Sequence, residues 1–302
     1  MSGPVDADLL LTAAKSVTTT FEDIPGDPVP VRTASAVDAQ GAAGAVERYE
    51  RHGFAIVQVD DEPVTPHALL RLTRSFDLGE PFVPDLYRRG GKTPAPVSRI
   101  SAAANAGTAD ADHPSFGRTV GQELHCDGTL QPIGHIKASL LLCEFPAARG
   151  GHTTLFNASA AFARLAADDT AAARALAVPG VLVRQANING ATDVNAQPAF
   201  AVQDGRLVSG YSVTATDRWA VPDEVVEEDL LRGVRFLRDA ARPGSPYFTQ
   251  LTLDAGQGIV FDNTRISHGR TPYEDSPGRQ RCLYRSLHLR HPRVRSGVPA
   301  RS

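Results

Sequence analysis

The sequence predicts a mainly β fold, a double-stranded β-helix (jelly roll) with helical insertions. Many short apolar stretches of strand length recur through the chain, and a few helical stretches interrupt them. The two kinds do not alternate strictly as βαβ, which argues against a doubly wound parallel sheet. The 302 residues, 42% of them apolar, suffice for one large core. No internal repeat or domain-scale linker divides them, so we expect an N-terminal arm over 1–35 and a single domain over 36–302.

The elements follow in order. "TTTFEDIPGDPVPVRTAS" has no usable period and belongs to the arm. "AVDAQGAAGAVERYERHG" has helical composition ending at Gly53, and "FAIVQV" (54–59) reads as a buried strand. "TPHALLRLTRSF" offers Thr65 as N-cap and Pro66 in the first turn of a second helix. Residues 81–119 are rich in Pro, Gly, Ala and Asp, with only "PVSRIS" strand-like; the stretch is longer than an ordinary connector and is a lid candidate. Strands then crowd together as "GQELHC", "HIKASLLLCEF" and "HTTLFN", before the Ala-rich helical stretch "SAAFARLAADDTAAARALA". "VLVRQANI" gives another strand, and "AFAVQDGRLVSG" a hairpin turning at Asp204 and Gly205. A second lid candidate spans 186–220. "VPDEVVEEDLLRGVRFLRDAARPG" places acids near a helix start and Arg238 and Arg242 towards its end. "YFTQLTL", "GIVFDN" and "RCLYRSLHLR" close the fold as strands.

Composition excludes several function classes. A net charge of -3 gives no bulk reason to expect nucleic acid or a membrane surface. No run approaches the ~18 apolar residues of a membrane span, and the first residues lack the pattern of a signal peptide. The cysteines, Cys126, Cys143 and Cys282, form no CxxC pair, so neither a disulfide framework nor a thiolate zinc site is indicated, and a reducing cytoplasm is the expected location. A small molecule is the default partner; oligomeric state is not legible.

Within "GQELHCDG", His125 and Asp127 flank one cysteine. With 9 His and 34 acids in the chain, about one His-x-acid triplet arises by chance, so this one needs partners elsewhere. In an extended strand His125 and Asp127 point to one face while Cys126 faces away. "IVFDNTRISHGRTPY" supplies His268, expected in a polar turn after an apolar strand. Two neutral imidazoles and a carboxylate on one face of an octahedron leave three positions open, the arrangement of non-haem Fe(II) oxygenases. In the last strand Arg281, Leu283, Arg285, Leu287 and Leu289 share one face, expected inward. Two inward arginines require an anion to offset their desolvation, and at ~3.3 Å per residue they lie roughly 13 Å apart, within reach of one cavity. Arg270 reads equally as a ligand clamp or as a surface residue at the site mouth, and "DLYRRGGKTP" (85–94) as a basic lid or a solvated turn.

"LHCDGT", "ARGGHTTLFN", "FDNTRISHGRTPY" and "GRQRCLYRS" follow the order and approximate spacing of the taurine dioxygenase and clavaminate synthase-like family of Fe(II)/2-oxoglutarate oxygenases, which the chain resembles over about 36–290. The resemblance implies that His125, Asp127 and His268 ligate iron, that Arg281 grips the distal carboxylate of 2-oxoglutarate with Thr153, and that Arg285 meets an acidic group of the substrate. It further implies O2 as cosubstrate, with succinate and CO2 released, and the retained Asp127 argues against halogenation. The expected function is hydroxylation of an unactivated C–H bond in a small polar, carboxylate-bearing metabolite such as an amino acid. The alternatives are a nucleotide or sulfonate substrate, or desaturation or cyclisation. A non-oxidative cupin-like metalloenzyme and a vestigial binding module are the remaining classes.

Overall fold

A computed structural model describes residues 7–22, 24–33, 39–88, 95–102, 118–188 and 190–294. Two sheets face each other as a double-stranded β-helix. The larger orders its strands Val29–Pro30, Phe54–Gln58, Gln257–Asp262, Ala138–Phe145, Cys282–His288 and Ser98–Ile100; the smaller orders them Phe248–Leu251, Thr153–Asn157, Ile266–Arg270 and Gln122–His125. Apart from the short parallel pairing of Val29–Pro30, every pairing in these two sheets is antiparallel.

The period-2 rule divides the central strand. Leu141 and Cys143 point between the sheets, where they join Leu155, Ile259, Phe261, Ile266 and Leu283. Leu140 and Leu142 point outward against the helices Ala39–His52 and Pro66–Ser75, among Val46, Tyr49, Leu69 and Leu72. At about 25 cal/mol per Å² of apolar surface, each fully buried Leu here contributes roughly 2 kcal/mol. The Thr65 hydroxyl accepts from Ala68 N at 3.1 Å, with Pro66 opening the helix as the sequence predicts. Asp204 and Gly205, at φ of 50° and 72°, make the two-residue hairpin turn.

Several expectations change. His268 lies within the strand Ile266–Arg270 rather than in a turn. "ISHGR" is too polar and too glycine-bearing to read as a strand alone, and pairing on both sides makes it one. The inward face of the last strand, Cys282–His288, holds Leu283, Arg285 and Leu287; Arg281 lies just before the strand, and Leu289 falls beyond it and is exposed. Its opposite face is buried as well, because Cys282 and Tyr284 lie under the outer helices. The Ala-rich stretch forms two helices, Ala158–Asp168 and Thr170–Leu176, with the Asp169 carboxylate capping the second at Ala172 N. Within the expected arm, Ala7–Lys15 is a helix whose Leu10, Ala13 and Ala14 pack against Ala158–Asp168. No helix among the described residues is long and apolar enough to cross a membrane.

Candidate metal centre and its cavity

Register brings the candidate ligands together. Gln122–His125 pairs with Ile266–Arg270 so that His125 stands opposite His268, their ring centroids 4.3 Å apart. Gly269 permits that approach, since a Cβ there would lie 2.5 Å from the Gln122 carbonyl oxygen and 2.9 Å from Thr154 Oγ1. Asp127 follows just past the strand end, its Oδ2 3.8 Å from His268 Nε2. One ligand atom each from His125, Asp127 and His268 falls within 4.8 Å of the others. Cys126 faces away, its thiol among the carbonyls of Ser209, Tyr211 and Ile266.

Surrounding groups fix these side chains. Asp127 N donates to Asn263 Oδ1 (2.7 Å), and Asn263 Nδ2 donates to the carbonyls of Asp127 (3.2 Å) and Ile136 (3.1 Å). Ser139 Oγ donates to Asp127 Oδ2 (2.6 Å) and Arg285 Nη1 to Oδ1 (2.8 Å). His125 Nδ1 lies 2.9 Å from the Glu123 carbonyl, which can only accept, so Nδ1 carries the hydrogen and Nε2 keeps its lone pair.

Burial alone would raise the Asp127 pKa, but the Arg285 guanidinium and the two imidazoles hold it well below the usual carboxylate range. Burial lowers His125 and, reinforced by His125, pushes His268 down to about 3. The carboxylate is therefore ionised and the imidazoles neutral near neutral pH, the forms a metal ligates. Two nitrogens and one oxygen suit Fe(II) with coordination positions to spare.

A cavity of about 430 Å³ opens over the centre. Both lid-candidate segments contribute to its wall: Pro84, Leu86 and Tyr87 from one, Asn187, Ile188 and Thr214–Thr216 from the other. Leu86, Ala186 and Ile188 pack together where the segments meet. Residues 89–94 and 103–117 lie outside the described residues, including Arg89 and Lys92 of the basic stretch. Two arginines face the cavity. Arg285 Nη2 donates to Tyr87 Oη at 3.1 Å. Arg184, 3% exposed, donates to the Cys126 carbonyl at 2.8 Å and sits 3.7 Å from the buried Asp217 carboxylate. Asp217 in turn accepts from Thr214 N and Oγ1, shaping the cavity turn.

Arg281 runs along Gly151, whose φ of +67° suits glycine and whose added Cβ would stand 3.0 Å from Arg281 Nε. Thr153, two residues on, is buried opposite Arg270. Arg270 is not a surface residue: it is 6% exposed and donates from Nη2 to the carbonyls of Arg118 (3.0 Å) and Val120 (2.8 Å).

Sequence reasoning missed Asn263, Ser139, Tyr87 and Arg184. Ser139, a lone hydroxyl in an apolar strand, carried a faint signal. Asn263 carried none beyond its place five residues before His268.

A profile of the taurine catabolism dioxygenase TauD, TfdA family matches residues 15–287. A uridine-5'-phosphate dioxygenase of Amycolatopsis sp is 40% identical over 275 residues, covering 89% of this chain and 96% of that protein. A uridine-5'-phosphate dioxygenase of Streptomyces sp is 37% identical over 254 residues, covering 82% and 89%. Among solved structures, an asparagine oxygenase in complex with Fe(II), 2S,3S-3-hydroxyasparagine and succinate superposes with a TM-score of 0.58 at 16% identity, covering 94% of this chain and 91% of that one. A taurine dioxygenase from Burkholderia xenovorans gives 0.55 at 19%, covering 90% of each. These structural likenesses speak to the fold.

Proposed function

Because the chain belongs to the taurine catabolism dioxygenase TauD, TfdA family and is an Fe(II)- and 2-oxoglutarate-dependent dioxygenase, we propose that it oxidises a nucleoside 5'-monophosphate, with uridine 5'-phosphate as the first candidate. Of the substrates expected from the sequence, the relatives' names favour the nucleotide over an amino acid.

The observation that carries this reading is a cavity with two arginines set among amides and hydroxyls. Arg184 and Arg285 line it with Gln131, Gln185, Thr129 and Thr214. A guanidinium meets a phosphate through paired N–H donors, and a carboxamide offers both a donor and an acceptor to the edge of a pyrimidine.

In this reading His125, Asp127 and His268 hold the iron, Arg281 and Thr153 hold the distal carboxylate of 2-oxoglutarate, and Arg285 with Tyr87 meets the substrate phosphate. When bound, iron and 2-oxoglutarate turn O2 into an oxidant that attacks an unactivated C–H bond, with release of succinate and CO2. The protein keeps Asp127 ionised and both imidazoles neutral, the forms a metal ligates.

Anaerobic titration with Fe(II) and 2-oxoglutarate tests the assignment through the visible charge-transfer band of the chelate. O2 is then admitted with uridine 5'-phosphate, uridine, asparagine or taurine, and succinate is counted. Succinate is expected chiefly with uridine 5'-phosphate. Equal release with uridine removes the phosphate role of Arg285, and turnover of asparagine alone overturns the nucleotide reading.

A further inference from the structure

Arg270 and His268 are two residues apart on one strand, so both side chains turn to the same face. The unbroken register with Thr153–Asn157 sets Arg270 directly opposite Thr153, and opposite residues of an antiparallel pair project side by side. From the facing sheet Arg281 arrives at the same place. Its guanidinium carbon lies 5.2 Å from the centre of the Tyr273 ring, and that of Arg270 lies 4.9 Å from the same ring. Two guanidinium groups, each about 95% withdrawn from solvent, therefore share one aromatic ring.

The Arg281 side chain has, among the described residues, only the Gly151 carbonyl at 3.4 Å as hydrogen-bond partner. The Tyr273 hydroxyl is buried and has none among them. Burying like charges together and leaving a hydroxyl unbonded is unfavourable unless an anion enters.

We propose that Arg270 is a second cation of the 2-oxoglutarate pocket: the distal carboxylate is shared by Arg281 and Arg270, with the Tyr273 hydroxyl as a further donor. The inference rests on the reading that places 2-oxoglutarate at Arg281 and Thr153. It makes Arg270 more than the anchor of residues 118–120, which its bonds to the Arg118 and Val120 carbonyls also make it.

The test separates these two roles. The full chain is titrated anaerobically with Fe(II) and either 2-oxoglutarate or 2-oxopentanoate, which chelates through the same atoms but ends in a methyl group. Dissociation constants are read from the charge-transfer band. Arg270→Met is expected to weaken 2-oxoglutarate about tenfold or more while leaving 2-oxopentanoate within roughly twofold, as for loss of a charge-assisted hydrogen bond. Arg270→Lys recovers part of the loss, and Tyr273→Phe shrinks the discrimination by about threefold. If Arg270→Met weakens both ligands by one factor, or neither, the proposal is overturned. Should that variant not fold, unchanged discrimination in both Arg270→Lys and Tyr273→Phe overturns it equally. A missing band in the unmodified chain strikes the cosubstrate assignment itself and takes this proposal with it, a pattern distinct from a failure in the variants alone.

Discussion

Replacing Asn263 with alanine tests how far the candidate centre depends on a residue that meets no ligand. The side chain makes three hydrogen bonds: it accepts from Asp127 N and donates to the Asp127 and Ile136 carbonyls. At about 1 kcal/mol each, rising where a buried backbone group is stranded, Asn263→Ala should cost about 3–5 kcal/mol. For a chain of this size that is a fall in Tm of roughly 10 °C. The same change frees the backbone at Asp127, so Fe(II) affinity should drop about 10- to 100-fold, as when a supporting partner of a metal ligand is lost. Asn263→Asp keeps the acceptor but turns an oxygen towards two carbonyls, and should be no better than alanine. Urea melts of the metal-free protein give the first quantity, and anaerobic Fe(II) titration the second. A stability change under about 1 kcal/mol, or a large one with unaltered metal affinity, would refute the account of Asn263 as the clamp on Asp127.

Asp127→Ala should abolish the charge-transfer band and, by taking away the buried carboxylate partner of Arg285, cost about 3–5 kcal/mol in urea melts; a variant that keeps the band contradicts the ligand set. Gly269→Ala should force the Gln122–His125 strand away from His268 and weaken metal binding at least about tenfold while far-UV circular dichroism stays native; native metal affinity would mean that the close approach is unnecessary. Burial brings His288 down to about 4, whereas an unfolded histidine titrates near 6.5. Between those values the unfolded chain binds the extra proton, so stability falls as pH drops, by up to about 1.4 kcal/mol per pH unit from this residue. His288→Gln should flatten that part of the stability curve, and an unchanged slope would remove the assignment.

Much of the fold was legible because burial leaves a period. "ASLLLCEF" alternates between two apolar surroundings, and the helix at Pro66 carries both its cap and its first-turn proline. His268 was legible as a residue but not as part of a strand, since the pairing that makes "ISHGR" extended comes from segments over 100 residues away. For Arg270 the sequence could not choose between a clamp and a surface residue for a related reason: its burial depends on Tyr273, Arg281 and the 118–120 backbone coming together. Asn263 bonds only to backbone groups at 127 and 136, and backbone partners leave no mark in a sequence.

The outer wall of the cavity closes on an apolar seam. Leu86 on one side and Ala186 with Ile188 on the other supply its apolar seam, and all three lie outside the two sheets that carry the candidate metal ligands. The apolar seam thus lies apart from the metal ligands, while Arg285 ties Tyr87 beside it to Asp127. Substitutions along that seam can alter which molecules enter, and in what order, while the oxidising apparatus beneath stays as it is, so one catalytic scaffold can serve a changing set of guests.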